Sequence, residues 1–285
     1  MPSSAGSDGG AGGARPEPAV NLLAGLFERS KPLVGMVHLL PLPGAPRWGG
    51  SMAEVLESAL RDAAALAEGG MDGVLVENFL DAPFHPGRVP AETVAAMAVV
   101  VAEVVRAVPV PEGVNVLRND APAALAIAAA TGARFIRVNV HTGAMLTDQG
   151  WLTGEAHETL RLRERLGARV AILADVLVKH AVAPPGLDIA QAARDTCRRG
   201  LADALIVSGT GTGEPTDIGR IRAVKAAVPE AAVWVGSGVT PASAAALLRE
   251  ADGAIVGSAL QRGGRAGGRV EPERVRALVE AVGQA

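Results

Sequence analysis

The sequence predicts a (β/α)8 barrel, and three observations carry that prediction. Eight short apolar runs alternate with eight segments of helical character, the order that builds a parallel sheet. The runs are near-continuous in Val, Ile, Leu and Ala rather than alternating, as expected for strands covered on both faces. The chain has 285 residues, and barrels of this class commonly take about 250.

Each element has a local reason. Residues 1–20 are rich in Gly, Ala, Ser and Pro, lack the apolar stretch of a signal peptide, and read as a disordered leader. Residues 21–285 are left as the barrel domain, and 21–29 read as a short helix capping the barrel bottom. The first strand, 33–39, leads to a helix at Met52–Glu68, marked by the capping-box pattern Ser51-Met52-Ala53-Glu54. The second strand, 73–78, precedes a helix at 93–108. The third, 114–119, runs into Asp120, a capping carboxylate before Pro122 and a helix at 122–131. The fourth and fifth strands, 135–139 and 170–176, are followed by helices at 155–166 and 189–199. Their arginine runs read as solvated outer faces. The sixth strand, 204–209, is followed by a helix at 217–228. Strands seven and eight, 232–236 and 253–257, both end in Gly-Ser. The first leads through Thr240-Pro241 into a helix at 241–250, and a helix at 273–282 follows the second.

Composition narrows the class. The chain is 49% hydrophobic but only 2% aromatic, with no tyrosine, so the core is built from small aliphatic side chains. A net charge of −3 gives no sign of nucleic-acid binding. The single cysteine, Cys197, excludes an internal disulfide and fits a reducing cytoplasm. The longest charge-free stretch, 231–248, is interrupted by Gly236-Ser237-Gly238 and Thr240-Pro241. It reads as strand, turn and helix rather than a membrane span, which leaves peripheral membrane association open. The apolar helix with its Val99-Val100-Val101 run makes a homo-oligomer plausible, although burial against the barrel explains it equally.

In a barrel, chemistry collects where the strands end. Here those ends carry His38; Glu77 and Asn78; Arg118 and Asn119; Arg137 and Asn139; Asp175, with Lys179 and His180 close behind; and Ser208 and Thr210. Charged groups buried there without partners are costly, so they pair with one another or bind a ligand. Asp175, Glu77, Lys179 and His38 are the candidates for proton transfer. A carboxylate and a lysine held together shift each other's pKa. Asn78, Arg118, Asn119, Arg137, Asn139, His180, Ser208 and Thr210 are candidates for holding substrate hydroxyls or a second anion. Glu77 and Asp175, with Asn78 or Asn119, are also ligand types for a divalent metal such as magnesium. No zinc spacing and no nucleotide-cofactor fingerprint occurs.

The paired Gly-Ser turns point to phosphate. Gly236, Ser237, Gly238, Gly257 and Ser258 follow strands seven and eight, where barrels often hold a phosphate. Glycine lets the backbone approach the anion. The reading is therefore an enzyme acting on a phosphorylated sugar or nucleoside-like molecule by isomerase, lyase or glycosyl-bond chemistry. The alternatives are a non-catalytic assembly factor and a phosphometabolite sensor.

At these strand ends the sequence resembles the BtpA/SgcQ family of TIM-barrel proteins. The matching stretches are Gly35-Met-Val-His-Leu-Leu-Pro-Leu-Pro-Gly44, Asp72-Gly-Val-Leu-Val-Glu-Asn78, Asn115-Val-Leu-Arg-Asn-Asp120, Phe135-Ile-Arg-Val-Asn139, Leu173-Ala-Asp-Val-Leu-Val-Lys-His180 and Val235-Gly-Ser-Gly-Val-Thr240. The resemblance implies the same barrel. It also brings two associations, photosystem I biogenesis and membranes for a cyanobacterial member, and sugar-metabolism genes for an enterobacterial one.

Overall fold

The computed structural model describes residues 22–283; the expected leader lies outside them. In chain order the elements are β1 (Leu33–His38), α1 (Met52–Glu68), β2 (Gly73–Glu77), α2 (Ala91–Ala107), β3 (Glu112–Asn115), α3 (Ala121–Thr131), β4 (Phe135–Val138), β5 (Ala144–Thr147), β6 (Gly150–Thr153), α4 (Ala156–Arg165), β7 (Ala171–Asp175), α5 (Ile189–Arg194), β8 (Ala204–Val207), α6 (Ile218–Ala227), β9 (Ala232–Val235), α7 (Ala244–Glu250), β10 (Gly253–Val256) and α8 (Pro272–Gly283). Eight of the strands close a barrel in the order β1-β10-β9-β8-β7-β4-β3-β2. The first and last strands pair in parallel, with Leu33 opposite Ala254 and Gly35 opposite Val256.

The helix signals work as expected at two sites. Ser51 Oγ accepts the Glu54 amide at 3.2 Å and starts α1. Asp120 accepts the Ala123 amide at 3.0 Å and starts α3, which ends at Gly132 in the left-handed region.

Four boundaries or elements differ from expectation, each for a local reason. The segment before β1 forms turns rather than a helix, because Gly25 takes a positive φ of 73°. It still plugs the barrel, with Leu22, Leu26 and Phe27 packed on the interior residues. The third strand leaves the sheet after Asn115 instead of running to Asn119. Side-chain bonds replace the ladder there, and Asn78 Oδ1 accepts the Leu117 amide at 2.7 Å. The helix expected from Pro241 begins at Ala244, since Thr240 and Ser243 bond each other in a turn. Finally, an antiparallel hairpin, β5–β6, interrupts the crossover after β4. Met145 and Leu152 from the hairpin bury against Val140 and Val178. Among the described residues no helix is long and apolar enough to cross a membrane.

The bottom of the barrel concentrates the few aromatic rings. Phe27 lies 5.9 Å from Phe135 and 5.5 Å from Trp234, ring centre to ring centre. Each ring sits over a glycine. A Cβ on Gly113 would come within 2.2 Å of Phe135, one on Gly253 within 2.7 Å of Trp234, and one on Gly73 within 2.9 Å of Phe27. The glycines make the volume that the rings fill, as close packing demands.

Candidate functional site

A cavity of about 670 Å³ opens at the C-terminal ends of the barrel strands. It has two distinct walls and a floor.

The first wall comes from the loops after β9 and β10: Gly236, Ser237, Gly238 and Val239, then Gly257, Ser258 and Ala259. Thr212 and Gly213, from the loop after β8, complete it. Glycine is demanded by contact here. A Cβ on Gly236 would meet Ile206 Cγ2 at 2.5 Å, and one on Gly238, at φ 69°, would meet Glu214 O at 2.5 Å. The Ser237 hydroxyl is consumed within the fold, accepting the Gly209 amide at 2.7 Å and donating to Glu214 O at 3.1 Å. Among the described residues no acceptor is matched to the amides of Gly238, Val239, Ser258 and Ala259.

The second wall is apolar: Phe79, Leu80 and Phe84 from the loop after β2, with Leu117. The chain has four phenylalanines, and two of them line this cavity.

The floor is charged. Arg137 on β4 binds Asp175 at the end of β7 through both oxygens, at 3.0 and 2.9 Å. Asn139 adds a third bond at 3.0 Å, and Ser208 Oγ a fourth at 3.4 Å. Asp175 therefore sits behind Arg137 with both oxygens engaged. Asp175, expected to transfer protons, thus has its two oxygens bonded by Arg137, Asn139 and Ser208.

Glu77 on β2 is the opposite case. Its side chain is 7% exposed and lies 3.6 Å from His38 Nε2. Burial raises its carboxyl above the ordinary range, against the pull of Arg137, Lys179 and Arg118. Lys179, in the loop after β7, also lines the cavity. Burial, aided by the Arg137 charge, brings its amine down to about 8.

His38 has a defined tautomer. Its Nδ1 accepts the Gly267 amide at 3.0 Å and faces the Gln261 amide nitrogen at 2.9 Å. A backbone N–H only donates, so Nδ1 is the acceptor and the ring proton sits on Nε2, toward Glu77. Burial, and then the Lys179 charge, push its pKa down to about 3. The ring stacks on Phe79 at 4.3 Å.

The structure gathers His38, Glu77, Arg118, Arg137, Asn139, Lys179 and His180 around the one cavity, together with all five Gly-Ser turn residues. It leaves four expected ligand-binding residues outside, Asn78, Asn119, Thr210 and Ser208. Asn78 is occupied by Leu117 and Asp81. Asn119 is held by the Val140 backbone at 2.9 and 2.8 Å. Thr210 is exposed beyond the rim, and Thr212 takes the place on the cavity that its neighbourhood suggested. Ser208 lies under Asp175. Glu77 and Asp175 do not converge with a third acid or histidine, and among the described residues no cluster of three or more metal-binding side chains occurs.

Sequence reasoning missed Arg47, Phe79, Phe84 and Asp148 on the cavity wall. Asp148 reaches it only because the β5–β6 hairpin folds over the mouth. The scarcity of phenylalanine was the signal available for Phe79 and Phe84.

Known proteins match this architecture closely. The model of the BtpA family matches residues 29–284. The photosystem I biogenesis protein BtpA of Synechocystis is 48% identical over 258 residues, covering 90% of each chain. SgcQ of Escherichia coli K12, an sgc region protein, is 34% identical over 88% of this chain and 94% of its own. Among solved structures, phosphoribosyl anthranilate isomerase from Thermus thermophilus superposes with a TM-score of 0.56 at 13% identity. It covers 89% of this chain and 98% of its own, and the likeness is one of fold. The chain belongs to the BtpA family.

Proposed function

We propose that this BtpA-family barrel is an enzyme that binds a phosphorylated sugar or nucleoside-like small molecule in its mouth and moves a proton on it. The observation that carries the reading is one cavity holding a glycine-built backbone cradle together with Glu77 and Lys179. The phosphate sits against Gly236, Ser237, Gly238, Gly257 and Ser258, where the backbone comes close and unmatched amides face an anion. The position of the cradle, after the last two barrel strands, is the usual phosphate position of this fold.

Glu77 and Lys179 are the proton-transfer pair. Burial moves the Glu77 carboxyl up and brings the Lys179 amine down to about 8, the directions that suit a proton-transfer pair. His38 donates through Nε2 and stays neutral, so it serves as a hydrogen-bond donor to Glu77 or to a substrate oxygen rather than as a base. Arg137, fixed by Asp175, presents a rigid cation beside them. Phe79 and Phe84 give the apolar part of the ligand a face to stack on. Isomerisation, lyase and glycosyl-bond chemistry all use this set. The single, partly buried Cys197 fits a cytoplasmic setting. Self-association through the outer helices, where Val99 is exposed on α2, fits the architecture.

The test is a thermal-shift screen against sugar phosphates, nucleotides, phosphoribosyl compounds and inorganic phosphate, with and without magnesium. A ligand of the folded state raises Tm. On the substrate so found, Glu77→Gln is expected to keep binding and to lose about 10²–10⁴ in kcat. Full activity in Glu77→Gln would remove Glu77 from the mechanism. No shift across the panel would favour a non-catalytic assembly role.

A further inference from the structure

Among the described residues two arginines are buried, Arg118 at 5% exposure and Arg137 at 3%. Their surroundings differ completely. Arg137 has both oxygens of Asp175. The Arg118 guanidinium has no carboxylate within 4.0 Å, and its one hydrogen bond runs from Nη2 to the Lys179 carbonyl at 2.8 Å. The nearby groups do not neutralise it. The carboxylates that attract it, Asp175 and Glu77 and more weakly Asp148, all stand beyond 4.0 Å, Asp175 is already bonded by Arg137, and Arg137 and Lys179 are further cations. A desolvated guanidinium without a counter-charge is costly, and protein interiors pair such groups unless a ligand supplies the partner.

Position sharpens the point. Arg118 belongs to the loop after β3, and the cradle to the loops after β9 and β10. In the closed order β1-β10-β9-β8-β7-β4-β3-β2 these lie on opposite arcs of the barrel. Glu77 on β2, with the apolar wall that follows it, borders the path between them.

We infer that Arg118 anchors a second anionic subsite, so that the ligand carries, besides its phosphate, another negatively charged group, a carboxylate or a second phosphate. The ligand then spans the mouth, with an anion at each end and its reactive centre over Glu77. Arg118 suits this task, because its planar fork matches a carboxylate or phosphate through two bonds at once. The inference rests on the phosphate reading above.

The experiment is calorimetric titration of the full chain with two matched pairs: glycerol 3-phosphate against 3-phosphoglycerate, and ribulose 5-phosphate against ribulose 1,5-bisphosphate. Three proteins are compared: the wild type, Arg118→Met and the cradle variant Ser258→Asp. We expect one two-anion compound to bind at least 10-fold more tightly than its partner. Arg118→Met should erase that advantage and leave the one-anion affinity in place, whereas Ser258→Asp should weaken every compound. Ligand-free Arg118→Met should melt no lower than wild type, because it removes an uncompensated charge. Equal binding within both pairs, unchanged in Arg118→Met, would overturn the second subsite and leave the phosphate reading intact. Binding that ignores Ser258→Asp would overturn the phosphate reading itself. A large drop in Tm for ligand-free Arg118→Met would reassign Arg118 to the fold.

Discussion

At the N-terminal end of the barrel strands, three of the chain's rings interlock over glycines, and the interior is closed by hydrocarbon. At the C-terminal end the same strands finish in His38, Glu77, Arg137 and Asp175, and the interior opens into a cavity. The two ends are a few residues apart along each strand, yet they answer to different demands. The bottom is complete in itself: every large side chain has a neighbour and every ring a matching glycine. The mouth is complete only in part, since Asp175 saturates Arg137 while Glu77, Lys179 and Arg118 have no charge partner close enough to satisfy them. Packing is closed in the first arrangement, and charge is left open in the second.

Mutation can break this contrast. The largest effect is expected at the bottom. Phe135→Ala empties the space above Gly113 and should cost about 3–5 kcal/mol in chemical denaturation. A loss near zero would mean that the plug around Phe27 carries no weight. In the mouth, Arg137→Met is expected to cost about 3 kcal/mol or more, because Asp175 stays buried without its partner. This should contrast with the neutral or stabilising Arg118→Met, and equal losses at the two positions would erase the distinction between a neutralised and a waiting arginine.

A smaller effect depends on pH. The folded chain refuses a proton on His38 until about pH 3, whereas the unfolded chain takes it up below 6.5. Stability from this group is therefore full above 6.5 and declines as pH falls, by at most about 1.4 kcal/mol per pH unit. His38→Asn, whose Oδ1 can accept from Gly267, should flatten that decline relative to wild type. Parallel pH curves for the two proteins would show that the imidazole is not held neutral.

The barrel was legible because strand signals are local. Runs such as 73–78 and 204–209 announce themselves by composition, and Ser51 and Asp120 cap their helices as a four-residue pattern requires. The hairpin was not legible, because its four-residue strands sit inside a crossover and pair only with each other. The site was legible as a set of strand-end residues, and most of that set converges. The partners of each residue were not. Asp175 and Glu77 look alike in the sequence, both acids at the ends of apolar runs. Only the lateral neighbours decide between them, and Arg137, Asn139 and Ser208 come from strands 33 to 38 residues away. Asn119 is a similar case, since its hydrogen bonds are claimed by the backbone of Val140.

The latch on His38 also bears on how the molecule is made. Its two hydrogen-bond partners, Gln261 and Gly267, lie 223 and 229 residues further along the chain. Contacts of such sequence separation are slow to form, because the entropy of the long loop is lost before the contact gives anything back. The first strand is synthesised early, but its imidazole has no fixed tautomer until the segment after the last strand arrives. A nascent chain halted near residue 255 would hold most of the barrel strands and a histidine free to take either tautomer. The tautomer of His38 is thus fixed only when the chain returns to the strand where it began.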